Sequence, residues 1–262
     1  MEKKREVILL IFLIILLFAI NYNFIDNSLK SFLDESQQVY VERIIDGDTI
    51  VVSNNTHVRL LGINTPEKGE FYHDEAINFL SELILNKTVI LEYGKDKTDL
   101  YGRTLAYILL DGKNINIEQV RNGFANFYIY DQDKYTKVLE NAWNECIANG
   151  TNLCEKSQDK CADCIQLKGL DVKSQISIFY NKCSFNCDLI NWDIKDEGRK
   201  HFTFPHFFLE GEKEVKVIVG NGTNNKQELF WGNETYVWTA TGDSLFLRDG
   251  KGKLVLWEEV GR

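Results

Sequence analysis

The sequence predicts a mainly β chain of α+β character: a small five-stranded barrel with three helices, then a β-sandwich, with an apolar helix at the N-terminus. Three observations predict it. From Tyr40, short β-branched runs alternate with turn residues and are interrupted by segments of helical spacing. From Gln166 a second series of short strands follows, separated by glycine turns. Before both, a basic start leads into a run of fourteen apolar residues.

Composition sets the bounds. The chain has 262 residues, enough for two ordinary domains after a tail is subtracted. Apolar content of 44% and aromatic content of 12% indicate folded material. A net charge of −9 argues against a protein that coats nucleic acid through a broad basic surface.

The first element is Met1-Glu-Lys-Lys-Arg-Glu6 followed by the apolar run Val7 to Ile20. Positive charge ahead of an apolar core is an export pattern. No small-x-small cleavage site follows, because Asn21, Tyr22 and Asn23 are bulky or polar. An uncleaved signal anchor is therefore expected, with residues 1–36 as anchor and stalk. That predicts a single-pass protein of the cell membrane with its C-terminal bulk extracellular, or a secreted one if the signal is cleaved.

Residues 37–146 hold the barrel. Val41 to Ile45 and Ile50 to Val52 flank Asp46-Gly-Asp-Thr49, and Val58 to Ile63 follows a polar loop. Asp74 to Leu85 carries Ala76, Ile77, Leu80, Leu83 and Ile84 at helical spacing. Thr88 to Tyr93 and Arg103 to Leu110 are two more strands. Asn114 or Asn116 caps a short helix through Val120 that Gly123 stops, and a longer helix spans Lys134 to Ile147. Five strands with interleaved helices suit a Greek-key barrel, the oligonucleotide-binding (OB) fold.

Residues 147–165 form a Cys-rich connector. The six cysteines are Cys146, Cys154, Cys161, Cys164, Cys183 and Cys187. In an exported chain an even count reads as disulfides, with Cys183 and Cys187 close enough to bridge locally and the other four stapling the connector. The competing reading is zinc on Cys161-x₂-Cys164 and Cys183-x₃-Cys187. Residues 166–262 carry strands at Ser177–Tyr180, Leu189–Ile194, Val215–Val219, Ser244–Leu247 and Leu254–Trp257, as expected of a β-sandwich. His57, His73, His201 and His206 show no paired spacing and receive no role.

Three segments carry chemistry: Arg43-Ile-Ile-Asp-Gly-Asp-Thr49, Val58-Arg-Leu-Leu-Gly-Ile-Asn-Thr-Pro-Glu67 and Thr98-Asp-Leu-Tyr-Gly-Arg103. They place carboxylates, an amide and two guanidiniums at the corners of strands. Carboxylate and carbonyl oxygens suit Ca²⁺, Arg forks match phosphate oxygens, and a further carboxylate can activate water. Arg59, in an otherwise apolar strand, needs a partner or a cleft.

In order and spacing these segments resemble the staphylococcal nuclease family, from about Tyr40 to Trp143. The resemblance implies an OB fold and one Ca²⁺ ion. It also implies hydrolysis of DNA and RNA with little sequence preference, leaving a 3′-phosphate. It makes Asp48, Asn64 and the Thr65 carbonyl metal ligands, with Asp46 as a carboxylate behind them. Arg59 and Arg103 become phosphate contacts, Glu67 the general base, and Tyr101, Tyr128 and Tyr130 aromatics flanking the nucleotide. Two departures stand out. Asn64 replaces the aspartate of the best-known member, which predicts weaker metal binding, and Leu100 replaces its lysine.

Asp188-Leu-Ile-Asn-Trp-Asp-Ile-Lys-Asp196, Phe202-Thr-Phe-Pro205, Leu229-Phe-Trp-Gly232 and Val237-Trp-x-x-x-Gly-Asp-Ser-Leu-Phe-Leu-Arg-Asp249 resemble the lamin-tail domain, which implies an immunoglobulin-like sandwich. Its ligand is unknown. The expectation is a membrane-anchored, monomeric nuclease whose sandwich serves attachment or substrate capture. The alternatives are an inactive nucleic-acid-binding OB module and an adhesion protein acting through the sandwich.

Overall fold

The computed structural model describes Ile11, residues 36–240 and residues 242–260. The predicted anchor therefore lies outside the described residues, apart from Ile11. Among the described residues no helix is long and apolar enough to cross a membrane.

The barrel is built from β1 (Ser36–Asp46), β2 (Thr49–Val52), β3 (Thr56–Leu60), β4 (Ile63–Asn64), α1 (His73–Ile84), β5 (Thr88–Thr98), β6 (Thr104–Leu110), β7 (Lys113–Asn114), α2 (Ile115–Arg121), β8 (Asn126–Phe127) and α3 (Thr136–Asn149). The sheet runs β3-β2-β1-β5-β6-β7, and parallel pairing of β3 with β6 closes five of these strands. Closure satisfies both sheet edges and encloses a core containing Val41, Ile50, Leu60, Ile63, Leu91 and Ile108. The expected barrel and its three helices are present.

Local chemistry explains the element ends. The Asn114 side chain accepts from Ile117 N at 3.3 Å, capping α2. Helix α3 buries Leu139, Ala142, Trp143 and Cys146, spaced for one face, and ends at Gly150. The expected Val58–Ile63 strand is split, because the chain turns at Gly62 (φ 74°) before pairing β4 with β8.

The second half comprises β9 (Ile165–Asp171), β10 (Ile176–Asn181), β11 (Cys187–Asp188), β12 (Asp193–Lys195), β13 (His201–Thr203), β14 (Phe208–Leu209), β15 (Glu214–Val219), β16 (Glu228–Trp231), β17 (Asp243–Arg248) and β18 (Leu254–Val260). Sheets β16-β15-β10-β9 and β13-β12-β17-β18 enclose Phe179, Val217, Trp231, Ile194, Phe202, Leu245 and Leu247. The expected Leu189–Ile194 strand is broken, since Asn191 adopts φ 60° and Trp192 N turns back to Leu189 O at 3.0 Å.

The expected cysteine pairing fails here. Cys183 and Cys187 do not bridge one another. The disulfides are Cys146–Cys154, Cys161–Cys187 and Cys164–Cys183. Pairing of β9 with β10 sets Ile165 opposite Asn181, which brings the two cysteine pairs face to face across the sheet end. All six sulfurs are thereby bonded, leaving no thiolate for the zinc alternative.

The second half has an apolar cluster of its own, yet it also contributes to that of the barrel. Phe246 and Leu254 belong to the apolar cluster of the barrel. Trp143 meets Phe246 edge-on at 5.4 Å, and Trp257 lies 5.9 Å from Trp143 and 6.0 Å from Phe127. Gly252 lets the β17–β18 turn approach the barrel, since a Cβ there would stand 2.5 Å from the Phe71 ring. Buried Arg248 donates to Leu153 O, and Lys253 donates to Tyr72 Oη at 2.8 Å.

Candidate functional site

The site begins at the turn between β1 and β2. Gly47 is needed there for space, not for an unusual φ. A Cβ would fall 2.8 Å from Thr65 Cγ2 and 2.9 Å from the Ala76 methyl. Gln119 Nε2 holds the Gly47 carbonyl at 2.8 Å. This packing aims Asp48 inward, where it is 2% exposed. Its Oδ1 accepts from Thr49 Oγ1 at 3.0 Å and its Oδ2 from Thr65 N at 3.2 Å.

Arg59 faces Asp48 because β3 pairs Arg59 with Thr49. Their ion pair is 3.1 Å and nearly buried, so solvent screens it little. The same Nη2 donates to Asn64 Oδ1 and, at 2.8 Å, to Ile63 O. Burial lowers the Arg59 pKa, as do the charges of Arg199 and Arg103, while Asp48 opposes them.

Three oxygens thus surround one positive nitrogen. They come from a carboxylate, an amide and a backbone carbonyl, the donor set a hard cation prefers. Thr65 Oγ1 beside them is buried without a hydrogen-bond partner. All-oxygen donors suit Ca²⁺ rather than a thiophilic metal, with Asp48 as the lone carboxylate; here they hold Arg59, and the carbonyl among them is that of Ile63 rather than the expected Thr65. No group of three or more His, Cys, Asp or Glu residues arranged for a metal occurs among the described residues.

The loop after β4 carries Glu67. Its backbone N donates to Glu70 Oε2 at 2.8 Å, and Glu70 N returns to Glu67 O at 2.9 Å. His73, given no role from the sequence, braces this loop: its Nδ1 lies 2.9 Å from Pro66 O and 3.6 Å from Asp46 Oδ1. Asp46 is half-buried, and burial raises its pKa. It contacts none of the three oxygens around Arg59.

Arg103 is oriented by Asp99. Its Nε donates to Asp99 Oδ2 at 2.7 Å and its N to Oδ1 at 2.9 Å, and the Tyr101 ring lies 5.5 Å from the guanidinium carbon. Tyr101 and Tyr130 are exposed, as is Leu100. Tyr128 is half-buried, its N donating to Gly62 O at 2.8 Å, and burial raises its pKa.

Asp48, Arg59, Asn64 and Thr65 therefore touch directly. Arg103 lies within electrostatic reach of Arg59. Tyr128 also lies within electrostatic reach of Arg59.

The residues missed from sequence come from the sandwich. The turn after β12 places Glu197 O 2.6 Å from Asn64 Nδ2 and Arg199 Nε 2.8 Å from Glu67 Oε1. Lys195 Nζ reaches Glu70 Oε2 at 2.5 Å. In sequence, Lys195-Asp-Glu-Gly-Arg-Lys200 reads as a solvated turn of mixed charge, and nothing local marks it as a site element.

Known proteins resemble this chain over the barrel. Residues 57–156 match the family described as staphylococcal nuclease homologue. A thermonuclease of Staphylococcus intermedius is 36% identical over 138 residues, spanning 48% of this chain and 82% of that protein. A thermonuclease of Staphylococcus hyicus is 36% identical over 118 residues, spanning 41% of this chain and 70% of its own. An SPbeta prophage-derived endonuclease of Bacillus subtilis (strain 168) is 35% identical over 117 residues, 40% of this chain and 39% of its own.

Proposed function

Because this chain belongs to the staphylococcal nuclease family and is on that ground a hydrolase of nucleic acids, we propose that it is a Ca²⁺-dependent endonuclease. Its substrates are DNA and RNA, cut with little sequence preference to leave a 3′-phosphate. The observation that carries the reading is the buried cluster of Asp48, Arg59, Asn64 and Thr65 at one corner of the closed barrel. Asp48, Asn64 and the Thr65 carbonyl would hold the ion, which supplies positive charge beside the attacked phosphorus.

The chain's own residues do the rest. Arg59 and Arg103 offer forked N–H donors to the phosphate oxygens, matched to charge that builds on phosphorus in the transition state. Glu67, on a loop braced by Glu70 and His73, orients a water for in-line attack and takes its proton. Tyr101 and Tyr130 present exposed rings against which bases can stack.

Three further features belong to the same proposal. The chain is anchored at the cell membrane by residues 7–20 with its bulk extracellular, and acts as a monomer. Three disulfides suit that oxidising side. The C-terminal half is lamin-tail-like and serves attachment or substrate capture. The test is incubation of the disulfide-intact protein with supercoiled plasmid in Ca²⁺, then with excess chelator. Nicking that chelation abolishes supports the reading; plasmid left intact in Ca²⁺ refutes it.

A further inference from the structure

We propose that Arg199, brought from the sandwich, is a third phosphate contact of the nuclease site, so that both halves of the chain build that site. The inference rests on the nuclease reading above. It begins from the turn between β12 and β13, which touches the site at Asn64, Glu67 and Glu70.

The turn is held from within. Asp196 N donates to Lys200 O at 3.1 Å, and Lys200 N to Asp196 Oδ1 at 2.9 Å. Glu197 N donates to Asp243 Oδ1 at 3.3 Å, and both Asp196 and Glu197 are buried. It continues directly from β12, which pairs with β17, the strand that sends Phe246 into the barrel core. The turn cannot drift from the site without opening that shared core.

Asn64 and the turn also fit each other chemically. The amide Nδ2 donates to Glu197 O at 2.6 Å. An aspartate at position 64 would set a carboxylate against that carbonyl, acceptor against acceptor. The departure at Asn64 thus has a physical reason that lies in the other half of the chain.

Arg199 differs from its neighbours on the turn, because its side chain is 53% exposed. A polymer can reach it. Its charge is felt at Arg59 together with that of Arg103, so three guanidiniums share one region. Each is offset separately, by Asp48, Asp99 and Glu67. A phosphodiester supplies one anion to all three. The exposed Arg199–Glu67 pair is weak and exchanges readily. When Arg199 turns to the phosphate it frees the Glu67 carboxylate for water.

The test uses the full chain and its Arg199→Gln, Arg199→Lys and Lys226→Gln variants. Binding in Ca²⁺ of a labelled, cleavage-resistant phosphorothioate single strand of about twelve nucleotides is followed against salt. Cleavage of the ordinary strand is followed in parallel. Arg199→Gln should weaken binding about tenfold, as loss of a charge-assisted hydrogen bond does. It should also make the log–log salt slope shallower by about one, the signature of one lost phosphate contact. Arg199→Lys should restore the slope. Lys226→Gln, which removes a sandwich charge paired with Glu210, should leave it unchanged. The melting temperature of Arg199→Gln should match the wild type.

Unchanged affinity and slope in Arg199→Gln would overturn the inference. Tighter binding with faster cleavage would overturn it too, by making the turn a plug. A wild-type chain that neither binds nor cleaves would defeat the nuclease reading itself, whereas an active wild type with an unaffected Arg199→Gln defeats only this inference.

Discussion

At the scale of single residues, the site depends on which oxygens face which positive charge. Asp48 is almost wholly buried, yet it is met by Arg59, Thr49 and Thr65, so its charge is compensated in place. Glu67→Gln keeps the shape and removes the proton acceptor. Turnover should fall by about 10²-fold or more while the melting temperature holds, which plasmid nicking and circular dichroism together check. Asn64→Asp adds a second carboxylate to the oxygens around Arg59 and removes the donor to Glu197 O. Calorimetry should show tighter Ca²⁺ binding, and metal-free melting should show a loss of about 1–3 kcal/mol from the repelled carbonyl. Looser Ca²⁺ binding would mean that position 64 does not face the ion.

At the scale of elements, the β12–β13 turn is where sandwich chemistry meets the barrel. Burial, reinforced by the neighbouring Asp243, pushes the Asp196 carboxyl up to about 7. The fold therefore disfavours its ionised form. The resulting destabilisation is absent below about pH 4, grows as pH rises toward 7 and is complete above it, on the order of a few kcal/mol. Asp196→Asn retains an acceptor for Lys200 N and cannot ionise. Its melting temperature should exceed that of the wild type at pH 8, and the gap should narrow as pH falls and close below about pH 4. An equal gap at pH 8 and below pH 4 would remove ionisation of Asp196 from the account.

Across the whole molecule, the aromatic contacts among Phe127, Trp143, Phe246 and Trp257 join the second half to the barrel's apolar cluster, while the second half keeps a cluster of its own. Arg248 is buried at the same junction, and desolvation pushes its pKa down to about 10. Calorimetric unfolding should accordingly give one transition for both halves rather than two. Phe246→Ala, though made in the sandwich, should cost about 3–5 kcal/mol. It should lower the temperature at which nuclease activity is lost by on the order of 10 °C. Two transitions, with activity untouched by Phe246→Ala, would show that the halves unfold apart.

Much of the barrel was legible in the sequence because its signals are local. Helical spacing at Ala76, Leu80 and Ile84, the Asn114 cap and the turn at Gly123 each report on a few neighbouring residues. The carboxylates, arginines and Asn64 were legible for the same reason, since they sit in three short segments at strand corners. Strand β9 was not among the expected strands, its alternation at Ile165 and Leu167 being interrupted by Gly169. What the sequence by itself determined was a nuclease-type barrel followed by a second, β-rich half; that its cysteines form disulfides rather than a zinc site came from the structure. Which cysteine meets which, where Phe246 is buried and why Glu67 faces Arg199 were decided by tertiary structure alone. Apart from Cys146–Cys154, 8 positions apart, those contacts join residues 19 to more than a hundred positions apart, and only packing, not local spacing, brings such residues within bonding distance.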